Sequence, residues 1–281
     1  MSLDFAAVER AAAGRRLRLP RGPQRGKVGE VRSASVGSSM ELHDFRLYHP
    51  GDDVRHLDWN AVARTGELVL RVRQDEVSPR LELLFDASLS MAVTPEKAAR
   101  AREVADLIGL LGRRAGLEVV LIAAGRSPQR AVGQEVRTVL SHIALDGAEP
   151  FDVALTRAPP VRPCGTRIVV SDFLFESPPE KLAERWARGA SSLFLVQVLD
   201  AEDIDPTGGT GARLVDAENG EAIERVLSPS VLDAYGERFG AHQRLWEHAG
   251  ARVHATFVTN SAAFGVEQLA STTLAPMLEA T

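Results

Sequence analysis

The chain has 281 residues and a formal net charge of −5; 44% of it is hydrophobic and 25% is charged. That length and balance give a globular chain with a sizeable core, in one large domain or two small ones, and exclude a disordered or fibrous protein. No run approaches about 18 apolar residues, so no membrane span is expected, and the acidic balance argues against a nucleic-acid binder.

Residues 1–40 read as a basic, loosely ordered segment, with a short helix expected over 4–17. Gly22, Pro23, Gly26 and a scatter of serines punctuate the rest of this segment. The start lacks the apolar stretch of a secretory signal, so the cytoplasm is the expected compartment. Arg10, Arg15, Arg16, Arg18, Arg21, Arg25, Lys27 and Arg32 concentrate positive charge there. A solvated tail is the plain reading, and contact with phosphates or an acidic partner is the other. Gly22 to Lys27 lacks the spacer and the preceding strand of a phosphate-binding loop, so no nucleotide site is expected. The one cysteine, Cys164, excludes disulfides and a cysteine zinc site, and reads as an inert thiol.

Residues 41–80 form a distinct segment. Pro50-Gly51-Asp52-Asp53 reads as a tight turn. Arg46, Arg55 and Arg64 beside Asp52, Asp53 and Asp58 can make bidentate ion pairs, and Trp59 is expected as a buried anchor. A polar clasp against the sheet domain is one reading of this segment. A partner-docking face built on Arg46, Tyr48, Asp52, Asp53, Arg55, Asp58, Trp59 and Arg64 is the other. His43, His49 and His56 are spaced too irregularly for a metal triad. The run 68–72 (LVLRV) reads as a strand.

From residue 81 strands and helices alternate. Strands are expected over 81–85, 117–124, 167–171, 192–199 and 252–258, and helices over 136–145, 178–188, 229–249 and 262–278, with a short turn near 153–156. The helix after the first of these strands has clear start signals, with Thr94 as N-cap, Pro95 at its first position and Glu96 in its first turn; Gly116 ends it. Glu218-Asn219-Gly220 between two β-like runs predicts a hairpin over 212–227. Continuous apolar strands alternating with helices predict an α/β fold: a doubly wound, mainly parallel sheet with helices on both faces. The expected organisation is 1–40, then an extension over 41–80 packed on the sheet domain, then the sheet domain over 81–281.

Three strands end in carboxylates, Asp86, Asp172 and Asp200, which a parallel sheet brings to one edge. The first continues as Asp86-Ala-Ser88-Leu-Ser90. Alternate side chains in a turn leaving a strand converge, and one carboxylate with two hydroxyls makes a hard-oxygen set suited to Mg²⁺ or Mn²⁺.

This motif, with Asp172 downstream, resembles the metal-ion-dependent adhesion site of von Willebrand factor A domains. The stretch from Arg46 through Tyr48, Pro50-Gly51-Asp52-Asp53 and Asp58-Trp59 to Ala63-Arg64-Thr65 resembles the bacterial von Willebrand A-like family catalogued as domain of unknown function fifty-eight. The resemblance spans roughly residues 28–260. It implies a von Willebrand A-like sheet domain with an N-terminal extension and a β-hairpin insertion. It also implies a divalent metal held by Asp86, Ser88, Ser90 and Asp172, and a non-enzymatic adaptor role with a MoxR-type AAA+ ATPase and a client protein. One departure stands out: the loop that carries a threonine ligand in such domains reads Gly147-Ala-Glu149-Pro-Phe-Asp152 here. Glu149 is the oxygen ligand that could replace it. The alternative function is a metal-dependent hydrolase, a phosphatase or nuclease using the strand-end aspartates.

Overall fold

The structure is a computed structural model that describes residues 3–19, 44–49, 57–72, 80–207, 209–217 and 220–281. The chain divides into two units, one of residues 1–20 with 78–281 and one of residues 21–77.

The first unit opens with α1 (Phe5–Ala12), capped by the Asp4 carboxylate, and β1 (Arg15–Leu17). The helix expected over 4–17 stops at Ala12 because Gly14 turns the chain at φ 66°. Val8, Ala11 and Ala12 are fully buried, so these first residues belong to the core of the unit instead of a loose tail.

In the second unit β2 (Asp44–Leu47) pairs antiparallel with β3 (Val69–Val72). Between them runs α2 (Trp59–Thr65), capped by Asp58 and ended by Gly66 at φ 74°.

The first unit then runs β4 (Arg80–Asp86), α3 (Pro95–Arg114), β5 (Glu118–Ala124), β6 (Gln129–Val132), α4 (Glu135–His142) and α5 (Phe151–Arg157). It continues with β7 (Cys164–Ser171), α6 (Pro179–Ala187), β8 (Ala190–Leu199), α7 (Ala201–Ile204), β9 (Gly209–Val215) and β10 (Ala222–Leu227). It closes with α8 (Pro229–Arg252), β11 (Thr256–Ser261), α9 (Val266–Ser271) and β12 (Leu278–Ala280).

The central sheet has the order β11-β8-β7-β4-β5-β6, parallel except for the edge strand β6. Numbered in chain order, these six strands lie 6-5-4-1-2-3. The direction of winding therefore reverses between β4 and β7, and ligands of doubly wound sheets sit at the carboxyl ends of strands at that point.

Side chains alternate along β4. Leu81, Leu83 and Phe85 join one buried cluster, with α1, α3, α4 and α9. Leu84 joins the other, with α5, α6 and Trp246 of α8. Helices therefore cover both faces. The second cluster is rich in rings: Phe173 lies 4.7 Å from Trp246, and Trp186 stacks on Trp246.

Several sequence-derived boundaries move. The antiparallel β6 is an addition to the expected strands, since Gln129–Val132 is short and half polar. The strand expected over 252–258 is β11, because α8 extends to Arg252 and His254 turns at φ 57° before the chain can enter the sheet. The helix expected over 262–278 ends at Ser271; Pro276 has no N–H to continue it, and β12 instead pairs with β1. The hairpin over 212–227 forms as β9–β10 with Gly220 at φ 73°; Asn219 lies outside the described residues.

Candidate metal centre

Asp86 is the last residue of β4 and is 1% exposed. The chain leaves the strand in a turn in which Asp86 Oδ1 accepts the Ser88 N–H at 2.9 Å, and the Ser88 and Ser90 hydroxyls meet at 2.9 Å. Two neighbouring loops press on this turn. Leu89 N–H donates to the Gly147 carbonyl at 2.8 Å, and Gly147 N–H donates to the Ala87 carbonyl at 3.0 Å. A Cβ at Gly147 would stand 3.0 Å from Gly125 Cα and 3.2 Å from Ser88 Cα. Glycine is needed there because three backbones touch.

The end of β7 closes the other side. Ser171 Oγ donates to Asp86 Oδ2 at 2.6 Å, which links the two strand ends across the winding reversal. Asp172, 2% exposed, accepts the Leu174 N–H on Oδ1 at 3.1 Å. Phe173 then takes a left-handed φ of 55°, uncommon for a bulky residue. This directs its N–H to Ser171 Oγ and its carbonyl to His242 and the Trp246 indole N–H. Gln197 of β8 donates to the Asp172 carbonyl at 2.7 Å. Both ends of Asp172 are therefore fixed.

Lys97 is the feature that sequence patterning does not single out. It lies in the first turn of α3 with its side chain 1% exposed, and its Nζ sits 3.1 Å from Asp172 Oδ2 and 2.8 Å from Asp203 Oδ2. Asp203 Oδ2 also accepts the Asp200 N–H, closing a capping box on α7. Asp200 Oδ2 takes the Thr94 hydroxyl at 2.5 Å, and Thr94 caps α3 by accepting the Lys97 N–H. The third strand-end carboxylate, Asp200, thus holds two helix starts together. The scarcity of lysine is the one available signal: Lys97 is one of only three in the chain.

Burial and the charge of Asp172 push the Asp86 carboxyl up to about 7, against the opposing hydrogen bonds of Ser171 and Ser88. Burial alone would lower the Lys97 ammonium, but the carboxylates of Asp172 and Asp203 outweigh it and hold Lys97 above its ordinary value. Burial raises the Cys164 thiol to about 11, which makes it inert.

Glu149 is half-exposed and its carboxylate is ion-paired to Arg157 at 2.8 Å; Thr156 is inside α5, bonded to Val153. Among the described residues no group of three or more His, Cys, Asp or Glu is arranged to hold a metal ion. The hydroxyl spacing bears on the fit more directly. Ser88 and Ser90 stand 2.9 Å apart, the length of the hydrogen bond between them and also about the separation of adjacent ligands on octahedral Mg²⁺ with bonds of about 2.1 Å. The donor set of two carboxylates and two hydroxyls suits that ion.

The remaining sequence candidates lie in the second unit. Asp52, Asp53 and Arg55 are outside the described residues, and Arg46 is placed in β2. Asp58 is the N-cap of α2, accepting from Asn60 and Ala61. Trp59 is not the buried anchor expected. It is the first residue of a helix that buries only Ala61, and it is 66% exposed. Tyr48 is half-buried, with its N–H on the Leu68 carbonyl, and Arg64 is exposed.

The sequence profile described as protein of unknown function DUF58 matches residues 44–244. The chain belongs to this family. The uncharacterized protein Rv1480 of Mycobacterium tuberculosis H37Rv is 32% identical over 230 residues, which cover 74% of this chain and 70% of that protein. The uncharacterized protein Mb1516 of Mycobacterium bovis gives the same values. Among solved structures, conserved hypothetical protein BatB from Bacteroides thetaiotaomicron aligns at 16% identity and a TM-score of 0.37, over 70% of this chain and 98% of that one. An aerotolerance-related membrane protein from Bacteroides fragilis aligns at 12% identity and the same score, over 70% of this chain and 99% of that one. No helix among the described residues of this DUF58 member is long and apolar enough to cross a membrane.

Proposed function

We propose that this DUF58 protein is a non-enzymatic adaptor of von Willebrand A-like architecture. Its divalent-cation site is built from Asp86, Ser88, Ser90 and Asp172. The supporting observation is that two buried strand-end carboxylates, near enough for the charge of Asp172 to raise the Asp86 carboxyl, stand at the winding reversal of the sheet, with the Ser88–Ser90 hydroxyl pair in the turn that leaves one of them. A bound Mg²⁺ or Mn²⁺ supplies a Lewis-acidic position for an acidic side chain of a partner. The residues of this chain do the rest: Ser88 and Ser90 are neutral donors that leave the ion electron-poor, Ser171 holds the Asp86 carboxylate, and Gln197 holds the Asp172 backbone carbonyl. The partner we propose is a MoxR-type AAA+ ATPase acting with a client protein, in the cytoplasm.

Calorimetric titration of Mg²⁺ and Mn²⁺ tests the site. Saturable binding that is lost in Asp86→Ala is the expected result, and Mn²⁺-dependent capture of a MoxR-type ATPase by the wild type but not by Asp86→Ala extends it to the partner. No binding to the wild type at millimolar metal would overturn the reading.

A further inference from the structure

We propose that Lys97 is a tethered cation that competes with the divalent ion for Asp172 and couples the occupancy of the site to α7; this rests on the metal site proposed above. A buried ammonium is costly unless paired, and Lys97 is paired twice, with Asp172 and with Asp203. Both oxygens of Asp172 are engaged, Oδ1 by Leu174 and Oδ2 by Lys97. A divalent ion that enters between Asp86, Ser88, Ser90 and Asp172 therefore meets a positive charge already seated on one of its carboxylates. Two cations on one carboxylate repel, and in a buried site that repulsion is screened far less than in water. Lys97 thus lowers the affinity of the site, by about tenfold or more.

The second tether gives the competition a direction. Asp203 draws the ammonium away from Asp172 and so favours the metal. Asp203 belongs to α7, where it also accepts the Asp200 N–H, while its carbonyl accepts the Tyr235 hydroxyl of α8. Asp200 in turn takes the Thr94 hydroxyl at the start of α3. By linkage, what Asp203 does for the metal, the metal does for Asp203. Metal binding shifts Lys97 towards Asp203 and tightens the ring of Thr94, Asp200, Asp203 and Lys97.

The two tethers predict opposite changes, which a merely structural role would not produce. In calorimetric titrations with Mn²⁺ alone, Lys97→Gln binds about tenfold tighter than wild type, and Asp203→Asn binds several-fold weaker. Circular dichroism confirms that each variant is folded. Hydrogen exchange of the 201–205 amides slows on Mn²⁺ saturation in the wild type and is unchanged in Lys97→Gln. If the wild type binds Mn²⁺ and Lys97→Gln binds equally or more weakly, the competition is overturned while the metal site stands. If the wild type does not bind and Lys97→Gln does, Lys97 closes the site in the native chain: the competition stands and the metal-bridged adaptor reading falls. If neither binds, the metal site and the competition both fall.

Discussion

Strands β4 and β7 carry two buried charge clusters, one towards each end, and their chemistry is opposite. Near the start of the strands Arg167 and Glu82 pair, with Arg167 Nε 2.9 Å and Nη2 2.8 Å from Glu82 Oε2. The remaining guanidinium bonds go to the carbonyls of Trp186, Arg188 and Arg162, and the second Glu82 oxygen accepts the Arg162 N–H. One positive and one negative charge cancel, and the guanidinium and carboxylate are both matched by hydrogen bonds. At the carboxyl ends of the same strands stand Asp86 and Asp172: the Lys97 ammonium answers Asp172 together with Asp203 of α7, while Asp86 is held by the Ser171 hydroxyl and the Ser88 N–H. The first cluster is complete in itself. The second has more carboxylate than it has cation to answer, and burial together with the charge of Asp172 makes Asp86 hold its proton more tightly. Burial alone therefore does not single out a candidate site; an unbalanced buried cluster does.

Removing one partner of the balanced cluster gives the largest expected effect. Arg167→Met leaves Glu82 buried and uncompensated, and the loss in urea unfolding is about 3–5 kcal/mol. A loss below about 1 kcal/mol would erase the contrast.

The unbalanced cluster behaves in the opposite sense. A carboxyl whose value is higher in the folded chain than the ordinary 3.8 binds its proton more tightly when folded. Its contribution is fully present below about pH 4 and is lost as pH rises through about 7. Metal-free wild type is therefore expected to lose stability over that window, and Asp86→Asn to flatten the loss. At pH 8 the variant is more stable by on the order of 2–4 kcal/mol, read from thermal and urea unfolding in EDTA. On the proposed metal site, saturating Mn²⁺ is expected to reverse the ranking, because Asp86→Asn removes one of its carboxylates.

A smaller effect tests the loop contact beneath the hydroxyl pair. Gly147→Ala forces the backbones at Gly125 and Ser88 apart, with an expected cost of about 1–3 kcal/mol and weaker Mn²⁺ binding. The smallest effect is a control on the surface. Glu149 and Arg157 are both about half-exposed, so Arg157→Ala changes stability by less than about 1 kcal/mol and leaves Mn²⁺ binding unchanged.

Much of this arrangement is legible in the chain. The apolar runs, the Thr94-Pro95-Glu96 helix start and the aspartates closing three strands come from local rules, and they are enough for the doubly wound sheet and its acidic edge. The parts that are not legible depend on distant partners. A lysine in the first turn of a helix looks solvated, and only the arrival of Asp172 and Asp203, 75 and 106 residues later, makes its burial tolerable. The half-polar Gln129–Val132 becomes a strand because the edge of β5 is open to it. Trp59 suggests an anchor by its size, yet its place at the first position of α2 leaves it exposed.

The alternation along β4 has a consequence for how the chain avoids self-association. Leu81 to Phe85 is an apolar β-prone run of the kind that seeds stacked fibrils when exposed during synthesis or folding. Glu82 and Asp86 interrupt it on one face. A one-residue register slip would drive both carboxylates into the aliphatic face held by Leu81, Leu83 and Phe85, and stacking copies of the strand would line up like charges. Each carboxylate is tolerated only where β7 meets it, with Arg167 for one and Ser171 for the other. The same two acids that lie within the finished sheet thus act as gatekeepers before it forms, admitting β7 in one register.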